Sequence, residues 1–414
     1  MISNNNKQNL RLGRRKFLYS AGVLAAGSTL GGCDTPPADR YNQTDIDLLA
    51  TQRSVEQQSR GKGIYGKHIY QGYRGLAELP WFDLDEAGQL RCIDETVPMS
   101  IDVHSHLGMS VLFKPTLDLQ ASTNRVKHLL DCDGTMRGCP LDLDIYINGN
   151  FSDSALSDLS SHTIAQGLWG SSFAATQTIP NLLREMKAMR VEHGMLLPIK
   201  LGLPFGDSLT TDWRSAVNVA GASDKLHVGL SVHPRDNGAI EEMRAHALAG
   251  GRIIKLHPPV QRFYPDEQAL MDIYAEAEKL GLVVFFHGGR AGIEPESSHP
   301  YAMPRHYESA LAEFPQLQFV LGHAGARDSD AMLDLAVRYE NAWQGIHGQS
   351  LTHLEKMIQR TNGDRLLFGT DWPFYHIGAS LAKVLIVTAT PTRQEMRQRI
   401  LRDNAKSLFP GLWG

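Results

Sequence analysis

Two kinds of stretch alternate along most of this chain. Short, nearly unbroken apolar runs fall at 101–106, 195–199, 226–232, 252–257, 282–287, 317–323 and 365–371, with a weaker one near 342–346. Between them lie segments whose apolar residues recur at helical spacing. One helix is predicted to start near Pro180, with Thr178 placed to cap it and Leu182, Leu183, Met186 and Met189 on its inner face. Others are predicted at 240–249, 266–280, 307–313, 331–339 and 351–360. Runs this short and this uniformly apolar suit a parallel sheet covered by helices. Eight of them, alternating with helices over roughly 300 residues, predict an α/β fold, a (β/α)8 TIM barrel.

The barrel domain is predicted over 99–410, behind an N-terminal tether and extension over 34–98. In the extension, 45–58 reads as a helix, and alternation at 81–92 around Glu86-Ala87-Gly88 reads as a hairpin. Residues 109–177 break the rhythm. They are rich in Ser, Asp, Gly and Asn, with 144–150 reading as a short strand and turn. So long a stretch without structure does not suit a compact domain. It is therefore an insertion after the first strand, either a lid over that strand's end or surface decoration.

The composition is that of a globular protein, 42% hydrophobic and 21% charged. Net charge is −4, but the first 33 residues carry five basic residues and no acid, so the remainder stands at −9. That balance sets nucleic-acid binding aside. Gly13-Arg14-Arg15-Lys16-Phe17-Leu18 resembles a twin-arginine export signal, followed by a weakly apolar stretch too short for a permanent membrane helix. It ends in Leu30-Gly31-Gly32-Cys33, which resembles a bacterial lipoprotein processing box. Residues 1–33 are thus expected to be a signal peptide with Cys33 as the lipidated residue. Asp34 resembles an inner-membrane retention signal. The expected place is the periplasmic face of a bacterial membrane, reached by the twin-arginine route and held by a lipid anchor. The alternative is a plain signal peptide with a chance cysteine. With Cys33 modified, Cys92, Cys132 and Cys139 remain, and in that oxidising compartment Cys132 and Cys139 either close a small loop around Gly134 or stay thiols.

The chemistry gathers at strand ends. In a strand, alternate side chains share a face, so His104 and His106 point the same way. Lys255, His257, His287, His323 and Asp371 also stand at or near the C-terminal ends of their runs, which a TIM barrel brings to one rim. One such histidine is readily explained as core packing; this many at one rim are candidate ligands. Arg262, Arg290 and Arg327 follow the fourth, fifth and sixth strands. They can hold a substrate carboxylate or be solvated loop charges.

His104-Ser-His106, Ile254-Lys255-Leu256-His257-Pro258-Pro259, Phe286-His287-Gly288, Gly322-His323-Ala324-Gly325 and Gly369-Thr370-Asp371-Trp372-Pro373 resemble the signature of the amidohydrolase superfamily. Within it they resemble the amidohydrolase-related branch of hydrolases, lactonases and non-oxidative decarboxylases. Asn404-Ala405-Lys406-Ser407-Leu408-Phe409 resembles that branch's last helix. The resemblance implies one divalent metal ion, Zn²⁺ first, held by His104, His106, His287 and Asp371. It implies His323 and Asp371 as catalytic acid/base groups. In binuclear relatives a fourth-strand lysine is carbamylated. The Lys-Leu-His-Pro-Pro setting resembles the mononuclear branch instead, which leaves Lys255 and His257, with Arg290 and Arg327, as substrate-binding groups. The implied activity is hydrolysis of an ester, lactone or amide of a small molecule, with carboxylated molecules among the candidates. The alternatives are decarboxylation at the same site, or a lipoprotein that binds without catalysis. A homodimer is compatible with either.

Overall fold

The computed structural model describes residues 35–109, 117–133, 139–203 and 207–413. The twin-arginine stretch and Cys33 lie outside these. The chain divides into two units at Gln43. In the first, the Arg40 N–H closes a turn on the Pro37 carbonyl. The rest belongs to the second unit.

Eight parallel strands of the second unit follow one another around a barrel. They are β4 (Ser100–Ser105), β6 (Val191–Leu196), β7 (Leu226–Val228), β8 (Ile253–Leu256), β9 (Val283–Phe286), β10 (Gln318–Leu321), β11 (Ala342–Gly345) and β12 (Leu366–Leu367). Hydrogen-bonded pairing runs β4-β6-β7 and β8-β9-β10-β11-β12. Parallel bridges Leu230↔Ile254 and Ser105↔Trp372 join the two arcs. At the second seam the His106 N–H donates to the Trp372 carbonyl at 2.6 Å and the Asp371 N–H to the His104 carbonyl at 2.7 Å. Outside the barrel, β1 (Ile69–Gln71) pairs with β5 (Pro140–Asp142), and β2 (Phe82–Leu84) with β3 (Leu90–Cys92) as the expected hairpin.

Strands buried on both faces explain the unbroken apolar runs: every residue of β4, β8 and β9 is buried. Ile101, Val103, Met195, Ile253, Phe285 and Val320 fill the interior, and Phe409 and Trp413 of the C-terminal segment join the same cluster. Helices Ile179–Ala188, Ala239–Leu248, Gln268–Lys279, Glu308–Glu313, Ser329–Arg338 and Leu351–Thr361 stand within a few residues of their predicted places. Thr178 does not cap the first of these; its hydroxyl donates to the Ala121 carbonyl at 2.7 Å. Residues 144–150 are not a strand: a 3-10 turn occupies Ile147–Asn150, and the strand lies just before, at β5. The insertion also carries the helix Asp153–Trp169, started by Ser152, whose hydroxyl accepts the Ala155 N–H at 3.2 Å. Within it Cys132 and Cys139 form a disulfide, and Cys92 is a free thiol.

The extension helix Gln43–Ser59 is tied to the barrel by ion pairs of Asp45 with Arg305 and of Glu56 with Arg327. Among the described residues no helix is long and apolar enough to cross a membrane.

Candidate metal centre at the barrel mouth

Asp102 organises the first strand end. It is fully buried and accepts the His104 N–H at 3.0 Å, the Ser105 hydroxyl, the Thr370 N–H at 3.1 Å and the Thr370 hydroxyl. Burial still pushes its carboxyl up, to about 6, against these hydrogen bonds. Its contacts stitch β4 to the segment after β12. The register of β4 shifts between Asp102 and Ser105. Ile101 and Val103 thus pack inside the barrel while both following histidines still reach Asp371. The backbone of Asp371 is left-handed, with φ 58°. That is an uncommon conformation for a residue with a side chain, and the seam contacts hold it there.

His104 Nε2 stands 3.2 Å and His106 Nε2 3.1 Å from Asp371 Oδ1. The His106 ring is set by Nδ1, which donates to the Leu197 carbonyl at 2.7 Å. His323 brings a ring nitrogen within 4.8 Å of both His104 and Asp371. His287 stacks on His257 with ring centres 4.0 Å apart and lies 4.5 Å from the His323 ring. Lys255 extends its ammonium over Phe285, 4.6 Å from the ring centre. The backbones of the fifth and sixth loops nearly touch: a Cβ on Gly289 would lie 1.8 Å from the Gly325 carbonyl, so only glycine fits.

The electrostatics of this rim suit a set of cation ligands. Burial keeps His104, His287 and His323 well below the usual imidazole range, and so neutral. It brings Lys255 down to about 7. Burial opposes charge on Asp371 too, but the His106 hydrogen bond and the His347 and His323 imidazoles hold its carboxylate at about 2. His104 Nδ1 and Nε2, His287 Nε2, His323 Nδ1 and Lys255 Nζ are buried without a hydrogen-bond partner. Each such atom costs about 1–3 kcal/mol in a protein without compensation. Neutral imidazoles around one anionic carboxylate are the donor set of Zn²⁺ or a similar divalent ion, so the residues present fit the metal.

The rim opens into a cavity of about 350 Å³. Its walls are chiefly apolar, from Ile199, Leu201, Leu203, Val260, Ile293 and Phe374. The insertion adds Met109, Tyr146, Asn148, Ser160, Thr163 and Ile164, so it does wall the site. Lys255 and His257 line the cavity as expected, and so does Arg262. No carboxylate among the described residues ion-pairs with Arg262.

Arg290 and Arg327 take other places than those expected. Neither lines the cavity. Arg290 is fully buried and grips Asp328 with Nε at 2.9 Å and Nη2 at 2.6 Å. Arg327 pairs with Glu56 at 3.2 Å and donates to the Ala291 carbonyl at 2.8 Å. Their guanidinium groups brace the loops after β9 and β10. Conversely, His347, just beyond β11, was not singled out from the sequence. It is 1% exposed, and its Nε2 stands 3.4 Å from Asp371 Oδ2. The signal was available, since it too is a polar residue at the end of a run.

Residues 210–411 match the model of the amidohydrolase family. That match contains His257, His287, His323 and Asp371 but not the His104/His106 strand. An uncharacterised TIM-barrel protein from Bordetella bronchiseptica is similar in structure, with TM-score 0.52 and 20% identity over 75% of this chain and 99% of the other. That likeness establishes the TIM-barrel fold. A 5-carboxyvanillate decarboxylase from Novosphingobium aromaticivorans, complexed with manganese, gives TM-score 0.49 at 14% identity, covering 76% of this chain and 97% of its own. A 2,6-dihydroxybenzoate decarboxylase from Rhizobium gives 0.47 at 19%, covering 60% and 94%. No curated protein matches the chain.

Proposed function

We propose that this protein is a metal-dependent hydrolase that cleaves an ester, lactone or amide bond of a small molecule at a single divalent ion, Zn²⁺ first. The observation that carries this reading is the group of partnerless, buried histidine nitrogens turned toward one carboxylate at the mouth of a barrel. His104, His106, His287 and Asp371 would hold the ion. When bound, it would polarise a carbonyl and lower the pKa of a water molecule. Asp371, ionised down to about pH 2, is placed to take a proton from that water. His323 faces the same point and, neutral, is placed to polarise the substrate carbonyl through its ring N–H, while the proton taken by Asp371 passes on to the leaving group. Apolar walls exclude bulk water and accept a molecule of modest size.

The test is turnover by the metal-loaded protein over a panel of aryl esters, lactones, amides and carboxylated phenols. Proton release and CO₂ release are followed together. Proton release without CO₂ is expected. CO₂ release from a carboxylated phenol would replace hydrolysis by decarboxylation, and full metal occupancy without any turnover would leave a binding protein.

Where the substrate is carboxylated, Arg262 is the residue to receive it, since it lines the cavity and ion-pairs with no carboxylate among the described residues. Arg262→Ala is expected to raise KM about 10-fold, in keeping with the ~1.5–3 kcal/mol of a charged hydrogen bond, with kcat little changed. An unchanged KM for every acidic substrate would remove this role.

We also read the protein as exported and lipid-anchored, on the strength of Arg14, Arg15 and Cys33. Cys33→Ala is expected to move the protein from the membrane fraction to the soluble fraction of its host cells. Retention in the membrane fraction would contradict the anchor.

A further inference from the structure

Asp371 has different neighbours on its two carboxylate oxygens. Oδ1 faces His104 Nε2 at 3.2 Å and His106 Nε2 at 3.1 Å. Oδ2 faces His347 Nε2 at 3.4 Å. A carboxylate that gives one oxygen to a metal ion keeps lone pairs on the other, and a donor there fixes which oxygen points inward.

We propose that His347 is the positioning residue for Asp371: it donates its Nε2–H to Oδ2 and so keeps Oδ1 turned toward the metal ligands of the first strand. The proposal rests on the metal-site reading above and adds a group from the seventh strand that the reading does not use. Three observations support it. First, neither His347 nitrogen has a hydrogen-bond partner among the described residues, and the acceptor Nε2 faces is Asp371 Oδ2, 3.4 Å away, so nothing else competes for the proton. A neutral imidazole carries one N–H, and facing an anion through Nε2 puts the proton on that atom.

Second, the ring is packed and buried. Its centre lies 4.9 Å from the Tyr375 ring and 5.0 Å from that of His323. Third, the backbone after it is clamped. The buried Lys383 ammonium donates to the Gly348 carbonyl at 3.3 Å and the Gln349 carbonyl at 2.7 Å. The Gln349 amide donates to the carbonyls of His323 at 2.5 Å and Ala326 at 3.0 Å. The Ile147 N–H, from the insertion, donates to the Gly348 carbonyl at 2.9 Å. A side chain aimed at a carboxylate from so rigid a loop holds that carboxylate at little entropic cost.

The test uses the full chain, stripped of metal and titrated with Zn²⁺ against a chromophoric chelator, and separately loaded with Co²⁺ for its visible spectrum. His347→Leu is expected to weaken Zn²⁺ binding by about 10–100-fold, the usual effect of losing a group that orients a ligand. Its Co²⁺ bands should keep the wild-type positions and intensities, because no ligand has left the ion. His347→Gln, which restores an N–H donor, should recover most of the affinity, and it carries the test should the leucine variant fail to fold. Wild-type affinity in His347→Leu would overturn the proposal. So would a Co²⁺ spectrum altered as by loss of a ligand, since His347 would then bind the ion itself. Wild-type protein that takes up no ion would overturn the metal-site reading and this proposal together.

Discussion

Asp371→Asn is expected to lower kcat/KM by about 10³-fold or more while leaving the protein folded, since the change is isosteric. Three losses fall on one substitution. Among the described residues the carboxylate is the only anion among the donors that face His104, His106, His323 and His347. Without it the ion meets neutral imidazoles alone, with no charge to offset its own. The proton acceptor is lost as well, which by itself costs about 10²–10⁴-fold. An amide also cannot accept at Oδ1 and Oδ2 together, so its NH₂ end would face imidazole nitrogens. Metal analysis separates these terms: chelator competition reports the ligand loss, and rates at saturating Zn²⁺ report the proton acceptor. Because burial is outweighed by the His106 hydrogen bond and neighbouring imidazoles, Asp371 remains anionic at all working pH values above about 2. The acid limb of the rate profile should therefore not titrate with Asp371. A variant that kept a tenth of the wild-type rate at saturating metal would exclude Asp371 as the proton acceptor.

The barrel was legible because burial on both faces leaves a plain mark in sequence. β8 and β9 are apolar up to the residue that turns polar, and that residue sits at the rim. β11 is the exception. Its sequence, Ala342–Gly345, includes the buried polar Gln344 and a glycine, so the run looks weak and His347 after it drew no attention. The two helices that went unpredicted after β6 and β12 fail for different reasons. Leu209–Val219 mixes Thr, Asp, Arg and Asn with its buried Leu209, Trp213 and Val217. Ile377–Val387 is buried at every position, so it has no polar face and no helical period to detect. Asp153–Trp169 is hidden by its serines, which favour caps and turns. The arginines show a different limit. Arg290 and Arg262 look alike as loop cations, and only the fold reveals that Asp328 neutralises one of them.

A second large effect is expected outside the cavity lining, at Glu185. This buried carboxylate, on the helix Ile179–Ala188, receives the Trp372 indole N–H at 3.3 Å and the Ile377 N–H at 3.0 Å. His128 Nε2 lies 3.3 Å and His376 Nε2 3.7 Å away, and His128 Nδ1 donates to the Pro373 carbonyl at 3.0 Å. The cluster therefore fixes residues 372–377, the loop that presents Phe374 and Tyr375 to the cavity. Glu185→Leu leaves several buried donors without an acceptor and is expected to cost about 3–5 kcal/mol, the usual effect of breaking a buried pair from one side. For a domain of this size that lowers Tm by roughly 5–10 °C. The effect should depend on pH. Burial raises Glu185, but His376 and His128 overcome it and bring the carboxyl from 4.5 down to about 2. A lowered acid contributes fully above about 4.5 and loses its contribution as pH falls from there toward 2. Burial lowers His128, but Glu185 outweighs it and raises the imidazole above 6.5. A raised base contributes fully below 6.5 and loses its contribution as pH climbs through the folded value. Both conditions hold between about pH 4.5 and 6.5. His376, lowered by burial, works against this on the acid side of its usual 6.5 and trims the gain. The Tm difference between wild type and Glu185→Leu should thus be larger at pH 5.5 than at pH 9. Differential scanning calorimetry at both values measures it, and an equal difference at the two would show that the pair is not ionised in the folded protein.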